Sequence, residues 1–228
     1  MRSPASARSM LSGGHGPIRR ARAIRLDALE LYGQIIGMQP ETVFNRVPRE
    51  ALAPNLQPMW DHSAALHGDT TFFEVMGNAP EATRWYMDQF YRQLFHSGRV
   101  DQKILELVRL RLANIHGCAF CNRSDRIAAL SAGLSEAEID AIADYRAGPF
   151  DERQKAALEL ADVMALTNAK GAVSKALYDR MKRSFSDGEL VELGLVMAVL
   201  VGMAKFIFAY DLVEKEDYCP FIPDAARL

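Results

Sequence analysis

Apolar side chains recur at three- and four-residue intervals along most of this chain. The strict alternation of apolar and polar residues that marks a half-buried strand is absent. The pattern predicts an all-α protein. Pro80 to His96 reads as one helix with Trp85, Met87, Phe90 and Leu94 as its apolar stripe. Val100 to His116 reads as the next, with Ile104, Leu107, Val108, Arg111 and Leu112 at helical spacing. Gly117 stands where a helix end needs a residue free to take positive φ, and Cys118 to Ala132 opens a new helix.

Further on, Ser135-Glu136-Ala137-Glu138 is a capping box, and Gly148-Pro149 ends the helix it starts. Glu152–Thr167 and Ser174–Phe185 follow, and a second capping box, Ser186-Asp187-Gly188-Glu189, opens a helix to about Leu212. That last helix is apolar nearly all round, which predicts a central position. Asp27–Ile36 reads as a short first helix. The stretch punctuated by Pro40, Pro48, Pro54 and Pro58 is expected to wrap the surface, and Trp60 and Trp85 to be core.

The chain has 228 residues, 49% of them hydrophobic, enough for one sizeable core. Residues 27–217 are expected to form a single helical domain, with tails at 1–26 and 218–228. The N-terminal stretch carries Arg2, Arg8, Arg19, Arg20, Arg22 and Arg25 and no acid before Asp27. It reads as a disordered tail or a start upstream of the native one, with a targeting peptide as the alternative. The formal net charge of −2 argues against nucleic acid as a partner. The longest apolar run, Leu193–Ala204, closes at Lys205 and is short for a membrane span.

Three cysteines are too few for a secreted disulfide scaffold, and two of them form Cys118-x-x-Cys121. That spacing puts both sulfurs on a helix's first turn, close enough to bond and exchange, where the helix dipole favours a thiolate. A zinc site would need four ligands, and only Cys219 and scattered histidines remain. Two buried structural cysteines are the other bland possibility. A metal site from His62 and His67 with Asp61 and Asp69 has nothing to fix its geometry, and neither metal nor cofactor is expected. Glu106, twelve residues before Cys118 in an apolar segment, is either a proton acceptor for the pair or a side chain paired with Arg109 or Arg111.

The run from Glu106 through Asn114-Ile115-His116-Gly117 to Cys118-Ala119-Phe120-Cys121 resembles the alkylhydroperoxidase D-like branch of the carboxymuconolactone decarboxylase family. Gly133-Leu134-Ser135 with Glu138-Ile139, and Phe185-Ser186-Asp187 with Glu189-Leu190-Val191-Glu192-Leu193, resemble further family motifs. The likeness runs from about Pro80 to Leu212.

The resemblance implies an alkylhydroperoxidase D-like helical bundle assembled as a dimer, trimer or hexamer. It also implies a thiol-dependent peroxidase cycle fed by a thiol reductant, with a small-molecule peroxide as substrate, expected in the cytoplasm. Cys121 would be peroxidatic, Cys118 resolving, and Glu106 a proton relay. The family usually has His four residues after the second cysteine, where this chain has Asp125. A carboxylate there is a poor proton acceptor and opposes a thiolate, unless Arg123, Arg126 or His116 compensates. His116 could also supply the imidazole. This departure keeps open a redox-sensing or structural oligomer. A decarboxylase or isomerase acting on a small lactone or acid is the other alternative, though that branch generally lacks the thiol pair.

Overall fold

The helix Gln102–His116 carries apolar residues on two opposite faces, and the fold is organised by this. In a computed structural model describing residues 40–221, all within one compact unit, Gly37–Leu228, it lies between two hydrophobic clusters. Ile104, Leu105, Val108 and Leu112 belong to the larger cluster, Leu107 and Leu110 to the smaller. The expected N-terminal tail, the helix Asp27–Ile36 and the end of the C-terminal tail lie outside the described residues.

After a 3-10 turn at Arg49–Ala51 come α1 (Gln57–His67), α2 (Thr71–Met76) and α3 (Pro80–Trp85), which continues as a π-helical segment, Tyr86–Phe95. Then follow α4 (Gln102–His116), α5 (Ala119–Ser131), α6 (Glu136–Ala141), α7 (Glu152–Met164), α8 (Lys175–Lys182) and α9 (Asp187–Ala209). No strand occurs among the described residues, as the periodicity requires. Both predicted capping boxes form, at Ser135/Glu138 and Ser186/Glu189, and Asp151/Gln154 makes a third.

Three expectations are corrected. The Pro-punctuated stretch is not only surface wrapping. Pro58 sits in the first turn of α1, where its missing N–H costs nothing, and α1 and α2 become walls of a cavity. Trp85 is 58% exposed rather than core. The chain changes register there: in the π segment the His96 N–H bonds to the Tyr91 carbonyl five residues back. With that register Tyr86 and Phe95 turn inward beside Phe90 of the predicted stripe, while Met87 and Leu94 of that stripe are only partly buried against the core.

The third correction concerns α9. It packs against α4, α7 and the π segment, but α4 is the central helix. Val191, Leu195, Ala198 and Gly202 form an exposed stripe at helical spacing. Its 23 residues satisfy the length and apolarity of a membrane span, and 28% of the most apolar window is buried. Composition reports that a helix needs apolar surroundings; it does not say whether one chain supplies them on every side.

Between α4 and α5 the chain turns at Gly117, with φ of 64°. A β-carbon added there would fall 2.7 Å from the Cys219 Cα, because the C-terminal segment lies against the turn. Gly117→Ala therefore meets both left-handed strain and a backbone clash. It is expected to destabilise the fold by about 2 kcal/mol or more in chemical denaturation, and an unchanged midpoint would contradict the packing described.

Candidate functional site

Cys118 is the N-cap of α5, and its sulfur accepts a hydrogen bond from the Cys121 N–H at 3.1 Å. The two sulfurs are bonded as a disulfide, with Cα atoms 5.2 Å apart. Cys118 is 1% exposed, whereas Cys121 is only partly buried. The C-terminal segment clamps this turn: the Phe120 N–H bonds to the Glu214 carbonyl at 3.3 Å, and the Glu216 N–H to the Gly117 carbonyl at 2.9 Å. Cys219 remains a free, buried thiol, its pKa pushed up by burial.

Asp125, one turn beyond Cys121, is paired through Oδ1 with the Arg109 Nη2 at 2.7 Å. Arg109 Nε also lies 3.3 Å from Glu106 Oε2, an ionic contact without hydrogen-bond geometry. Gln102 Nε2 donates to the other Glu106 oxygen at 3.2 Å. The guanidinium packs against the rings of Phe95 and Tyr91, at 5.2 and 6.0 Å. One buried cation is thus shared by two buried carboxylates. Desolvation raises both carboxyl pKa values against the pull of Arg109, that of Asp125 to about 6.

This changes the meaning of the substitution at position 125. The compensating cation is Arg109 on the neighbouring helix, not one of the three groups expected. Arg123 pairs with Glu214, and Arg126 with Glu136 and Asp140. His116 is buried and its Nε2 accepts the Leu166 N–H at 3.0 Å; burial lowers its pKa to about 4. With a pKa near that of free imidazole, Asp125 is also a better proton acceptor than an ordinary carboxylate.

Cys118, Cys121, Asp125 and His116 all line one cavity of about 550 Å³, walled by α1, α2, the π segment, α4, α5 and α9. Phe72, Phe73, Met87, Phe120, Met203 and Ile207 make its apolar surface. Glu106 does not line it and reaches it through Arg109. Sequence reasoning offered Arg109 as a possible partner of Glu106, which the structure shows, but missed it as the partner of Asp125 on the neighbouring helix. It also missed Tyr86 and Tyr91, whose hydroxyls come within 3.4 Å of each other only because the helix there is π, and His67 and Ser124, 57 residues apart in sequence. A metal site at His62 and His67 is not assembled. Asp61 pairs with Arg49, Asp69 accepts from the Thr71 N–H and hydroxyl, and no cluster of three metal-binding side chains occurs among the described residues.

Comparison with known proteins gives a partial family match and a shared fold. The model of the carboxymuconolactone decarboxylase family matches residues 80–163, which holds α3 to α6 and nearly all of α7. The uncharacterised protein Rv2313c of Mycobacterium tuberculosis is 41% identical over 95 residues, 41% of this chain, and the match spans 33% of that relative's length. A protein of unknown function from Agrobacterium tumefaciens, named as a candidate antioxidant-defence protein AhpD, is 25% identical. It superposes with a TM-score of 0.53 over 59% of this chain and 91% of its own. An uncharacterised peroxidase-related protein from Ralstonia eutropha with an alkylhydroperoxidase AhpD core shares the fold at a TM-score of 0.62 and 14% identity, over 82% of this chain and all (100%) of its own. The fold is therefore AhpD-like, and the similarity to the family includes the segment that holds the thiol pair.

The buried charges make a prediction about pH. The folded pKa of Asp125, about 6, lies above its ordinary value of 3.8, so the folded state holds this proton more tightly than the unfolded state. Its contribution to stability is fully present below the ordinary value and is lost as pH rises through the folded one. Asp125→Asn lacks that loss. Relative to the unsubstituted protein, the variant should gain on the order of 2 kcal/mol in unfolding free energy between pH 4 and pH 7. Parallel stability curves would mean that Asp125 is ionised throughout that range.

Proposed function

We propose that this protein is a thiol-dependent peroxidase or disulfide oxidoreductase that takes a bulky, apolar organic hydroperoxide into its cavity. The observation that carries this reading is the position of a helix-capping disulfide on the wall of a large apolar cavity, beside a buried carboxylate–arginine pair. In the reduced protein the Cys121 thiolate attacks the terminal peroxide oxygen. The O–O bond breaks, Cys121 becomes a sulfenic acid, and the alkoxide leaves and is protonated. The Cys118 thiol then attacks the Cys121 sulfur, releasing water and restoring the disulfide. An external dithiol returns both sulfurs to the thiol state as it is itself oxidised.

The unequal exposure of the two residues supports this assignment: both line the cavity, but Cys118 is 1% exposed and Cys121 is the more accessible. Arg109 offsets the charge of Asp125, so a thiolate at Cys121 does not face an uncompensated anion. The family resemblance implies the same cycle, and its need for reduced thiols fits the cytoplasm. In the decarboxylase or isomerase alternative the disulfide would have no role.

The test is single-turnover reaction of the reduced protein. Cumene hydroperoxide should be consumed at least about tenfold faster than hydrogen peroxide, because apolar contact area adds binding energy. Cys118→Ser should stop at a sulfenic acid on Cys121 that dimedone traps, and Cys121→Ser should consume nothing. Free thiols at both positions after peroxide would overturn the reading.

The apolar stripe on α9 is assigned to a second copy of this chain, as the resemblance implies. Val191 and Leu195 stand 63% and 52% exposed, large for aliphatic side chains on a helix this apolar. Leu195→Lys should lower the mass seen by light scattering to that of one chain and leave the helical circular dichroism intact. An unchanged mass would place the contact elsewhere.

A further inference from the structure

Ser124 lies three residues after Cys121 on α5, so the two side chains are neighbours on the helix, and both line the cavity. Its hydroxyl oxygen is 2.9 Å from the His67 Nε2 of α1. The state of that imidazole follows from its other nitrogen. Arg123 Nε–H donates to His67 Nδ1 at 3.2 Å, and an arginine only donates, so Nδ1 is an acceptor and the ring proton sits on Nε2. His67 therefore donates to Ser124. A hydroxyl that accepts in this way keeps its own proton to give. The Phe120 ring, 4.0 Å from the imidazole centroid to centroid, covers one face of this pair.

We propose that Ser124, oriented by His67, is the hydrogen-bond donor that stabilises the Cys121 thiolate when the disulfide is opened. The proposal rests on the reading of Cys118 and Cys121 as a redox couple. In the final step of reduction, an external dithiol held on Cys121 as a mixed disulfide leaves as its own disulfide. The electron pair of the broken S–S bond stays on the Cys121 sulfur, and the Ser124 O–H points its dipole at that charge. His67 is the positioning residue: its N–H occupies one lone pair of the Ser124 oxygen and fixes where the hydroxyl proton can point.

The imidazole stays neutral in this role. Burial and the Arg123 cation lower its pKa to about 4, so near neutral pH it is a donor of one fixed tautomer rather than a titrating charge. Other charged or titratable groups line the cavity or pack against its walls, Cys118 among them. Arg123 and Asp125 are on the helix of Cys121, His62 on α1 with Asp69 beyond it, and Arg109 and His116 on α4. Arg92, Tyr86 and Tyr91 lie on the π segment, His96 caps its end, and Glu214 lies on the C-terminal segment. Ser124→Ala alters none of these charges, so it isolates the hydroxyl.

The experiment is the pH dependence of Cys121 alkylation by iodoacetamide in the fully reduced chain, read by peptide mass spectrometry. Ser124→Ala should raise the midpoint by about one pH unit, the loss of one hydrogen bond to a thiolate. His67→Leu should raise it in the same direction. Ser124→Thr and His67→Gln, which keep a hydroxyl and an N–H, should restore it. A residue with a merely structural role would change the melting temperature and leave the midpoint in place. An unmoved midpoint in folded Ser124→Ala overturns the proposal, and a shift there without one in His67→Leu overturns the part given to His67. Should Ser124→Ala fail to fold, His67→Leu and its glutamine rescue decide the question. Absence of peroxide consumption by the unsubstituted protein would sink the peroxidase reading, while the midpoint comparison would still judge this one.

Discussion

A helix ends and another begins within two residues at Gly117-Cys118, and the site is arranged around that turn. The left-handed backbone at Gly117 reverses the chain so that α5 returns along α4. Three results follow from this one reversal. The first residue of the new helix becomes an N-cap whose sulfur accepts a backbone N–H. Asp125 on α5 faces Arg109 on α4. The exposed Gly117 carbonyl becomes an acceptor for the Glu216 N–H, which brings the C-terminal segment down over the turn. Any residue with a β-carbon at position 117 would disturb all three.

The charges buried behind the thiols follow a second rule. A buried carboxylate is costly unless it is paired, and here one arginine serves two of them. One guanidinium cannot fully satisfy two ionised acids in a dry site, so both acids hold protons more tightly than usual, and one atom of Glu106 and one of Arg109 go without a hydrogen bond. Such a cluster is poised to take up or release a proton near neutral pH, which a well-satisfied ion pair is not. The replacement of a family histidine by Asp125 is therefore compatible with acid–base work: burial moves the carboxyl toward the range imidazole occupies.

The cavity depends on two features that local rules do not favour. The π segment widens its helix so that Tyr86 and Tyr91 turn toward the site, at the expense of leaving Trp85 in solvent. The proline-punctuated segment, instead of only crossing the surface, folds α1 against α5 and delivers His67 to Ser124. Both place polar side chains on the wall of an otherwise apolar space.

Much was legible in the residues alone. Helical periodicity, the two capping boxes and the glycine at the α4 end depend on local geometry, in which spacing and residue type suffice. The thiol pair was legible for the same reason, since three residues on a helix is a fixed distance. Three things were decided only by the tertiary structure. Arg109 as the partner of Asp125 joins two helices, and a sequence does not say which of several arginines a buried acid will meet. The inward face of Tyr86–Phe95 depends on a register change that no propensity signals. The standing of α9 at the edge of the chain follows from where the remaining apolar surface ran out. Local chemistry specified where the sulfurs sit, and packing specified what surrounds them, because a charge or an imidazole acquires its pKa from neighbours that are distant along the chain.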